Sequence, residues 1–211
     1  MKKKSISILL FILVINLFAQ DNNEIPIIDP TALIEQVNLL SQKTTSITAL
    51  FVQEKEMSFM EETLTSSGKF YFQKEDLLRW EYTQPFSYAI ILNGERIGIV
   101  DEGRRSDFDL NSNRMYMEIS NVMTGMVNGT LLNSDQFEAS WFETGNSYKV
   151  KLAPGNAMMQ QYLVSVELLL SKTDYNVEEV KMYEKSGDYT RISFNNMKLN
   201  ETIPAEIFRL D

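Results

Sequence analysis

Over most of its length the chain alternates apolar and polar residues with a period of two, and near its start one stretch keeps a helical period instead. Leu33, Val37 and Leu40 recur at steps of four and three, which aligns them as a single apolar stripe of an amphipathic helix. Asp29 and Pro30 stand just before it and suit an N-cap and a first helical position, where a missing N–H costs nothing. From Ile47 the rhythm changes. Phe51, Met57 and Phe59 alternate with Val52, Glu54 and Ser58, and similar short runs recur at Lys69–Gln73, Leu77–Tyr82, Tyr88–Leu92 and Ile97–Asp101. Asn93-Gly94 between two of these runs predicts a type I′ hairpin turn, and Asp101-Glu102-Gly103 a looser one.

The stretch Ile119–Leu132 departs from alternation again: Val122, Met123, Met126 and Val127 sit three to four residues apart, while Gly125 and Gly129 weaken any helix. It reads as a short, frayed helix. Strands resume at Phe137–Glu143, Tyr148–Leu152, Leu163–Leu170, Val177–Tyr183 and Tyr189–Met197, separated by turn-forming Gly, Asn, Asp and Ser. About ten strands and two or three helices result, with no tandem repeat and no low-complexity tract. A sheet of that many strands tends to curl, and a curled sheet with helices at its mouth encloses an apolar cavity.

The first residues carry an export signal. Lys2, Lys3 and Lys4 precede an apolar run from Ile6 to Phe18, broken only by Ser7 and Asn16, and Ala19 supplies the small residue for cleavage after Ala19 or Gln20. The run is shorter than a membrane span requires. Residues 1–20 are therefore expected to be removed, and residues 21–211 to form one domain in the periplasm. Loss of the three lysines, with no acid in the same segment, takes the net charge from −9 to −12. Such acidity disfavours nucleic acid and anionic membrane as partners.

The chain has neither cysteine nor histidine. Disulfides, thiol catalysis, a lipidated cysteine, His-ligated metals and the usual base of a serine triad all drop out. No G-x-S-x-G elbow and no glycine-rich phosphate loop appears. Neighbouring acids such as Glu61 with Glu62 and Glu178 with Glu179 read as solvated charges, so neither an enzyme nor a cofactor is expected. Asp107, Asp109, Asn111, Asn113 and Glu118 fall at calcium-loop ligand positions, but Ser112 replaces the required glycine and the preceding residues read as strand. A polar hairpin loop is the expectation there, and no metal.

The segment from Ser67 to Asp101 brings in a family. The F-x-Q of Phe51 and Gln53, the strand of Gly68 and Phe70, the R-W-x-Y of Arg79, Trp80 and Tyr82 followed by Pro85, the Asn93-Gly94 turn, and Ile203-Pro204 with Phe208 span residues 51–208. Together they resemble the LolA family, the periplasmic outer-membrane lipoprotein carriers. The resemblance implies an incomplete, strongly curved antiparallel β-barrel of about ten to eleven strands, closed on one side by two or three lid helices. It implies acyl chains of lipoproteins as cargo, an inner-membrane lipoprotein-releasing ABC transporter as donor, and an outer-membrane acceptor or the membrane itself as destination. It also implies that Lys74, at the family's basic position before the L-x-x-x-W segment, clasps the lid helices to the barrel. The chain departs from the family's pattern at Glu75, where proline is usual, and at Gly98, where tryptophan is frequent, so that a missing indole would enlarge the cavity or be filled by a methionine. It also ends at Asp211 without the usual tail.

Methionine is flexible and polarizable and packs against chains of varied shape. Ten methionines remain after cleavage, and Met115, Met117, Met123 and Met126 cluster around the second expected lid. The stripe Leu33, Val37 and Leu40, with Met123 and Met126, is expected to form a lid that moves against barrel residues Phe51, Phe70, Trp80 and Ile91. The protein is expected as a monomer. A carrier of another amphiphile, such as a glycolipid or lipid-linked precursor, and a lipid sensor of the same fold would use the same pocket.

Overall fold

Short alternating strands joined by tight turns satisfy their backbone groups by pairing each strand antiparallel to the next. The computed structural model, which describes residues 24–110, 125, 132, 136–157 and 159–210, shows this arrangement. Its elements run β1 (Ile25–Pro26), α1 (Thr31–Lys43), β2 (Ser46–Glu56), β3 (Leu64–Gln73), β4 (Leu77–Gln84), β5 (Tyr88–Asn93), β6 (Arg96–Asp101) and β7 (Arg104–Asp109). After these come β8 (Phe137–Glu143), β9 (Ser147–Pro154), β10 (Leu163–Ser171), β11 (Val177–Glu184) and β12 (Tyr189–Leu199). All twelve strands join one sheet in the order β1-β8-β9-β10-β11-β12-β2-β3-β4-β5-β6-β7, an unclosed antiparallel barrel with β1 and β7 at its ends.

Two strands exceed the sequence expectation. β1 lies in the stretch read as a loose lead-in; it pairs with β8, and the Glu24 carboxylate beside it reaches Lys149 and Lys151, each at 2.7 Å. β7 lies in the stretch whose spacing resembles a calcium loop. There Asp107 pairs with Arg96 at 3.4 Å and Arg105 at 3.1 Å, so its charge is met by guanidinium groups. Asn111, Asn113 and Glu118 lie outside the described residues, as do residues 1–20, Met115, Met117, Met123 and Met126.

The turns differ from expectation in register. Asn93 pairs with Arg96, so the central residues of that hairpin are Gly94 and Glu95, and only Gly94 has positive φ, at 58°. This is the pattern of a type II′ turn. The expected type I′ pattern occurs instead between paired Asp101 and Arg104, where Glu102 and Gly103 have φ of 47° and 80°. Helix α1 begins one residue later than expected. Asp29 Oδ1 accepts hydrogen bonds from the Thr31 amide at 3.1 Å and the Thr31 hydroxyl at 2.6 Å, and these hold its carboxyl below the ordinary aspartate range.

Residues directly opposite each other on paired strands share a face. Ala49, Phe70, Trp80, Ile90 and Ile99 form one such row, and Trp141, Val150, Leu168, Val180 and Ile192 another. These rows line the concave face. The convex face of β4, β5 and β6 is also covered: the C-terminal segment crosses it, with Ala205–Phe208 against β4 and β5, and Phe208, Ala89 and Ile91 are all buried. Arg79 Nη1 donates to the Ile207 carbonyl at 3.4 Å, Asn93 Nδ2 to that of Phe208 at 3.0 Å and Arg105 Nη2 to that of Arg209 at 2.9 Å. Gly98 belongs to this outer face. A Cβ there would stand 2.5 Å from Leu210 Cδ2, so the glycine makes room for the C-terminal segment and does not enlarge the concave cavity.

An apolar cavity beneath the N-terminal helix

The concave face and α1 enclose a cavity of about 90 Å³. The helix contributes Val37, Leu40 and Ser41, and β2, β3 and β4 contribute Ile47, Phe70 and Trp80. The far wall comes from β10, β11 and β12, with Leu168, Leu170, Val180, Ile192, Phe194 and Met197. Gly125 and Leu132 also touch it. The residues on the wall with polar side chains are few: Ser41, Thr44, Tyr175 and Asn176, besides the Trp80 indole. Thr44 donates its hydroxyl to the Leu40 carbonyl at 2.8 Å, so it adds little polarity to the interior.

A β-bulge shapes the far wall. The register of β12 against β2 shifts between Asn195 and Lys198, and Asn196 adopts positive φ, at 52°. The extra residue lets Phe194 and Met197, three apart, both face inward. An aromatic group stiffens the opposite wall: Trp80 lies with ring centroids 4.9 Å from Phe51, 5.3 Å from Phe70 and 6.0 Å from Phe194. Behind Phe51 the Tyr82 hydroxyl donates to Gln53 Oε1 at 2.9 Å, and burial pushes its titration upward, opposed by the Trp80 indole.

Of the residues expected at the site, Val37, Leu40, Phe70 and Trp80 meet at the cavity. Leu33 packs against the core from the helix but lies outside the lining, and Phe51 is buried in the wall behind Trp80. Ile91 does not belong to the cavity. It pairs with Arg79 and Gly98 on the convex face, where the C-terminal segment covers it. Both Ile91 and Leu92 are buried, at 1% and 0% exposure, because the two faces of β5 are each covered. Period two then separates the faces without telling which is concave. Met123 and Met126 lie outside the described residues.

Lys74 sits in the turn between β3 and β4, and its Nζ donates to the Gln42 carbonyl in the last turn of α1 at 2.5 Å. A cation at a helix C-terminus meets unpaired carbonyls and the negative end of the dipole. The contact lies at the end of α1 that continues into β2, not at its N-terminal end. Glu75 and Asp76 in the same turn have φ of 76° and 59°. Proline, fixed near −65°, has no place at such a position, which accounts for Glu75 departing from the family pattern.

The far-wall residues of β10, β11 and β12 were not expected at the site. Their alternation, as in Leu168/Leu170 and Ile192/Phe194, marked them as inward-facing, but curvature alone brings strands so distant in sequence around to face Phe70 and Trp80.

An open antiparallel barrel with a helix across a narrow apolar cavity has a shape able to enclose hydrocarbon. Residues 42–211 match the family described as outer membrane lipoprotein carrier protein LolA, and the chain belongs to that family. It is 25% identical over 151 residues to an outer-membrane lipoprotein carrier protein of Halorhodospira halophila, a match covering 69% of this chain and 65% of that one, just under two thirds of the relative's length. Over 187 residues it is 23% identical to a protein of the same name in Pseudomonas aeruginosa, covering 87% and 85% of the two chains. An uncharacterized conserved protein of Thermus thermophilus has the same fold, with a TM-score of 0.54 at 13% identity, covering 86% of this chain and 94% of that one. Among the described residues no helix is long and apolar enough to cross a membrane.

Proposed function

We propose that the protein is a periplasmic carrier that takes acyl chains of lipoproteins into the cavity beneath α1 and conveys them from the inner to the outer membrane. An inner-membrane ABC transporter that releases lipoproteins would load it, and an outer-membrane acceptor or the membrane itself would unload it. The observation that carries this reading is the cavity: its wall is almost wholly hydrocarbon, and part of that wall is a helix with a single buried residue, Val37. The absence of histidine and cysteine and the carrier names of its relatives support binding without catalysis.

Exposing an acyl chain to water costs about 0.8 kcal/mol per methylene, so a chain of roughly 14 methylenes represents on the order of 11 kcal/mol. A carrier must shield much of this and still release it. The cavity of about 90 Å³ is far smaller than the roughly 300–1,000 Å³ of sites that bury a whole small ligand. Loading therefore requires α1 to move outward, pivoting near the Lys74 contact, and re-closure over an empty interior favours release. Leu33, Val37, Leu40, Phe70 and Trp80, with Phe51 behind them, would contact the chains, a role that the sequence also suggests for Met123 and Met126.

A photo-crosslinking residue at Leu40, compared with one at exposed Lys69 on the convex face, tests the reading in cells. Lipoprotein adducts at Leu40 and none at Lys69 are expected. Equal labelling at both positions, or adducts at Leu40 only with soluble proteins lacking acyl chains, would refute it. A glycolipid adduct would reassign the cargo.

A further inference from the structure

The two ends of the barrel differ in what their loops expose. At the end where α1 runs into β2, the described turns at 74–76, 94–95, 144–146 and 172–176 expose no large apolar side chain. At the opposite end Phe59 and Met60 stand out between β2 and β3, Phe86 between β4 and β5, and Tyr162 just before β10; the three rings are 78%, 70% and 73% exposed. These loops share one rim. Lys55 pairs with Leu64, Glu56 with Tyr189 and Ser67 with Gln84 at the strand ends, and the Lys185 amide donates to the Tyr162 carbonyl at 3.0 Å.

The β2–β3 tip is pinned. The Ser58 amide donates to Asp188 Oδ1 at 2.8 Å, the Ser58 hydroxyl to the Ser186 carbonyl at 3.2 Å, and the Met60 amide to the Met57 carbonyl at 2.9 Å. Asp188 is itself buried. The backbone is thus held while Phe59 is left in water. Single apolar side chains on a surface are ordinary, but several on the tips of separate loops mark a contact site. Protruding tips along one rim suit a broad, deformable apolar layer better than a protein pocket, which takes one. Charge narrows the choice. Glu56, Glu61 and Glu62 are exposed beside the tip, Lys55 is engaged by Glu184 at 3.1 Å, and Lys185 on the neighbouring turn does not balance the acids. Anionic head groups are repelled by such a rim, whereas a primary ammonium supplies both opposite charge and N–H donors.

We infer that this rim docks on a membrane surface rich in phosphatidylethanolamine, with Phe59, Met60 and Phe86 entering the hydrocarbon boundary and Glu61 and Glu62 accepting hydrogen bonds from head-group ammoniums. This rests on the carrier reading for its purpose and deepens it, selecting the membrane itself among the destinations of the cargo.

Co-sedimentation tests this with vesicles of equal parts phosphatidylethanolamine and phosphatidylcholine, of phosphatidylcholine alone, and of equal parts phosphatidylglycerol and phosphatidylcholine. The protein should bind the first best and the last least. Phe59→Ser combined with Met60→Ser should lower partitioning onto the first about tenfold and leave uptake of a fluorescent fatty acyl probe unchanged. Glu61→Gln combined with Glu62→Gln should bring the first two vesicles to equal binding. All four side chains are exposed, so the core is untouched, and Phe86→Ser in a separate loop should give an independent loss. Absence of wild-type binding to every vesicle, undiminished binding by the serine variants, preference for phosphatidylglycerol, or a phosphatidylethanolamine preference that survives the glutamine variant overturns the inference. Wild-type self-association without lipid that the serine variants abolish assigns the tip to a second copy and overturns it as well. Probe uptake retained in any of these cases leaves the carrier reading standing; vesicle binding without probe uptake by the wild type overturns that reading alone.

Discussion

The same sheet is covered on both faces, and the two covers are built differently. On the convex side the segment from Ile203 to Leu210 lies flat on β4, β5 and β6, buries Phe208 to 1% exposure, and is fixed by three side chains that each donate to a main-chain carbonyl. Close packing of this kind leaves no room for a guest. On the concave side α1 buries only Val37, packs Leu33 and Ile34 partway, and spans a gap. The tight cover leaves no space against the sheet; the loose one leaves a cavity. Order on one face and slack on the other are what the proposed carrier role requires.

The contrast can be broken by substitution. Phe208→Ala should have the largest effect, a loss of about 3–5 kcal/mol in urea unfolding from the cavity it leaves, with binding of a fluorescent fatty acyl probe to the folded protein retained. Val37→Asp should do the reverse. A carboxylate facing hydrocarbon should weaken the same probe about tenfold, or about 1.4 kcal/mol, while unfolding changes less than in Phe208→Ala. If Phe208→Ala abolished probe binding and Val37→Asp did not, the roles of the two covers would be reversed.

Two smaller effects sharpen the picture. Lys74→Met removes the bond to the Gln42 carbonyl and should cost about 1 kcal/mol, read locally. Amide exchange within α1 should accelerate while exchange in the central strands stays unchanged; uniform acceleration would mean that Lys74 supports the whole barrel and not the helix. The smallest effect concerns the open end at β1. Hydrogen bonds from Lys149 and Lys151 lower the titration of Glu24; for Lys149, burial pulls downward, but Glu24 and Glu167 outweigh it and its titration is raised. The folded state then binds fewer protons at Glu24 than the unfolded chain does. This contribution is complete above the ordinary glutamate value and fades as the pH falls through the lowered one. Glu24→Gln should therefore lower stability slightly at neutral pH, where the contribution is complete, and leave it unchanged at pH below the lowered value, so that the acid limb flattens. An unchanged acid limb would exclude the pairing.

Much of the fold was legible before any coordinates. Alternation located ten of the twelve described strands, and the stripe of Leu33, Val37 and Leu40 located α1, which starts one residue after the expected Pro30. The two strands that escaped lack the usual signal: β1 has two residues, and the polar sequence of β7 looks like a loop because as an edge strand it has little to bury. The site was half legible. Val37, Leu40, Phe70 and Trp80 meet as their patterns suggested, whereas Ile91 was assigned to the wrong face because its strand is apolar on both.

Sequence alone determined the local elements, the chemistry excluded by missing histidine and cysteine, and the family. Each of these follows from neighbours a few residues apart or from composition. Tertiary structure decided the rest: which face each cover occupies, why Gly98 is small, and where Lys74 finds its carbonyl. Those outcomes depend on segments far apart in the chain, 128 residues in the case of Arg79 and Ile207. Their meeting is set by the curvature of the whole sheet, which no local pattern encodes.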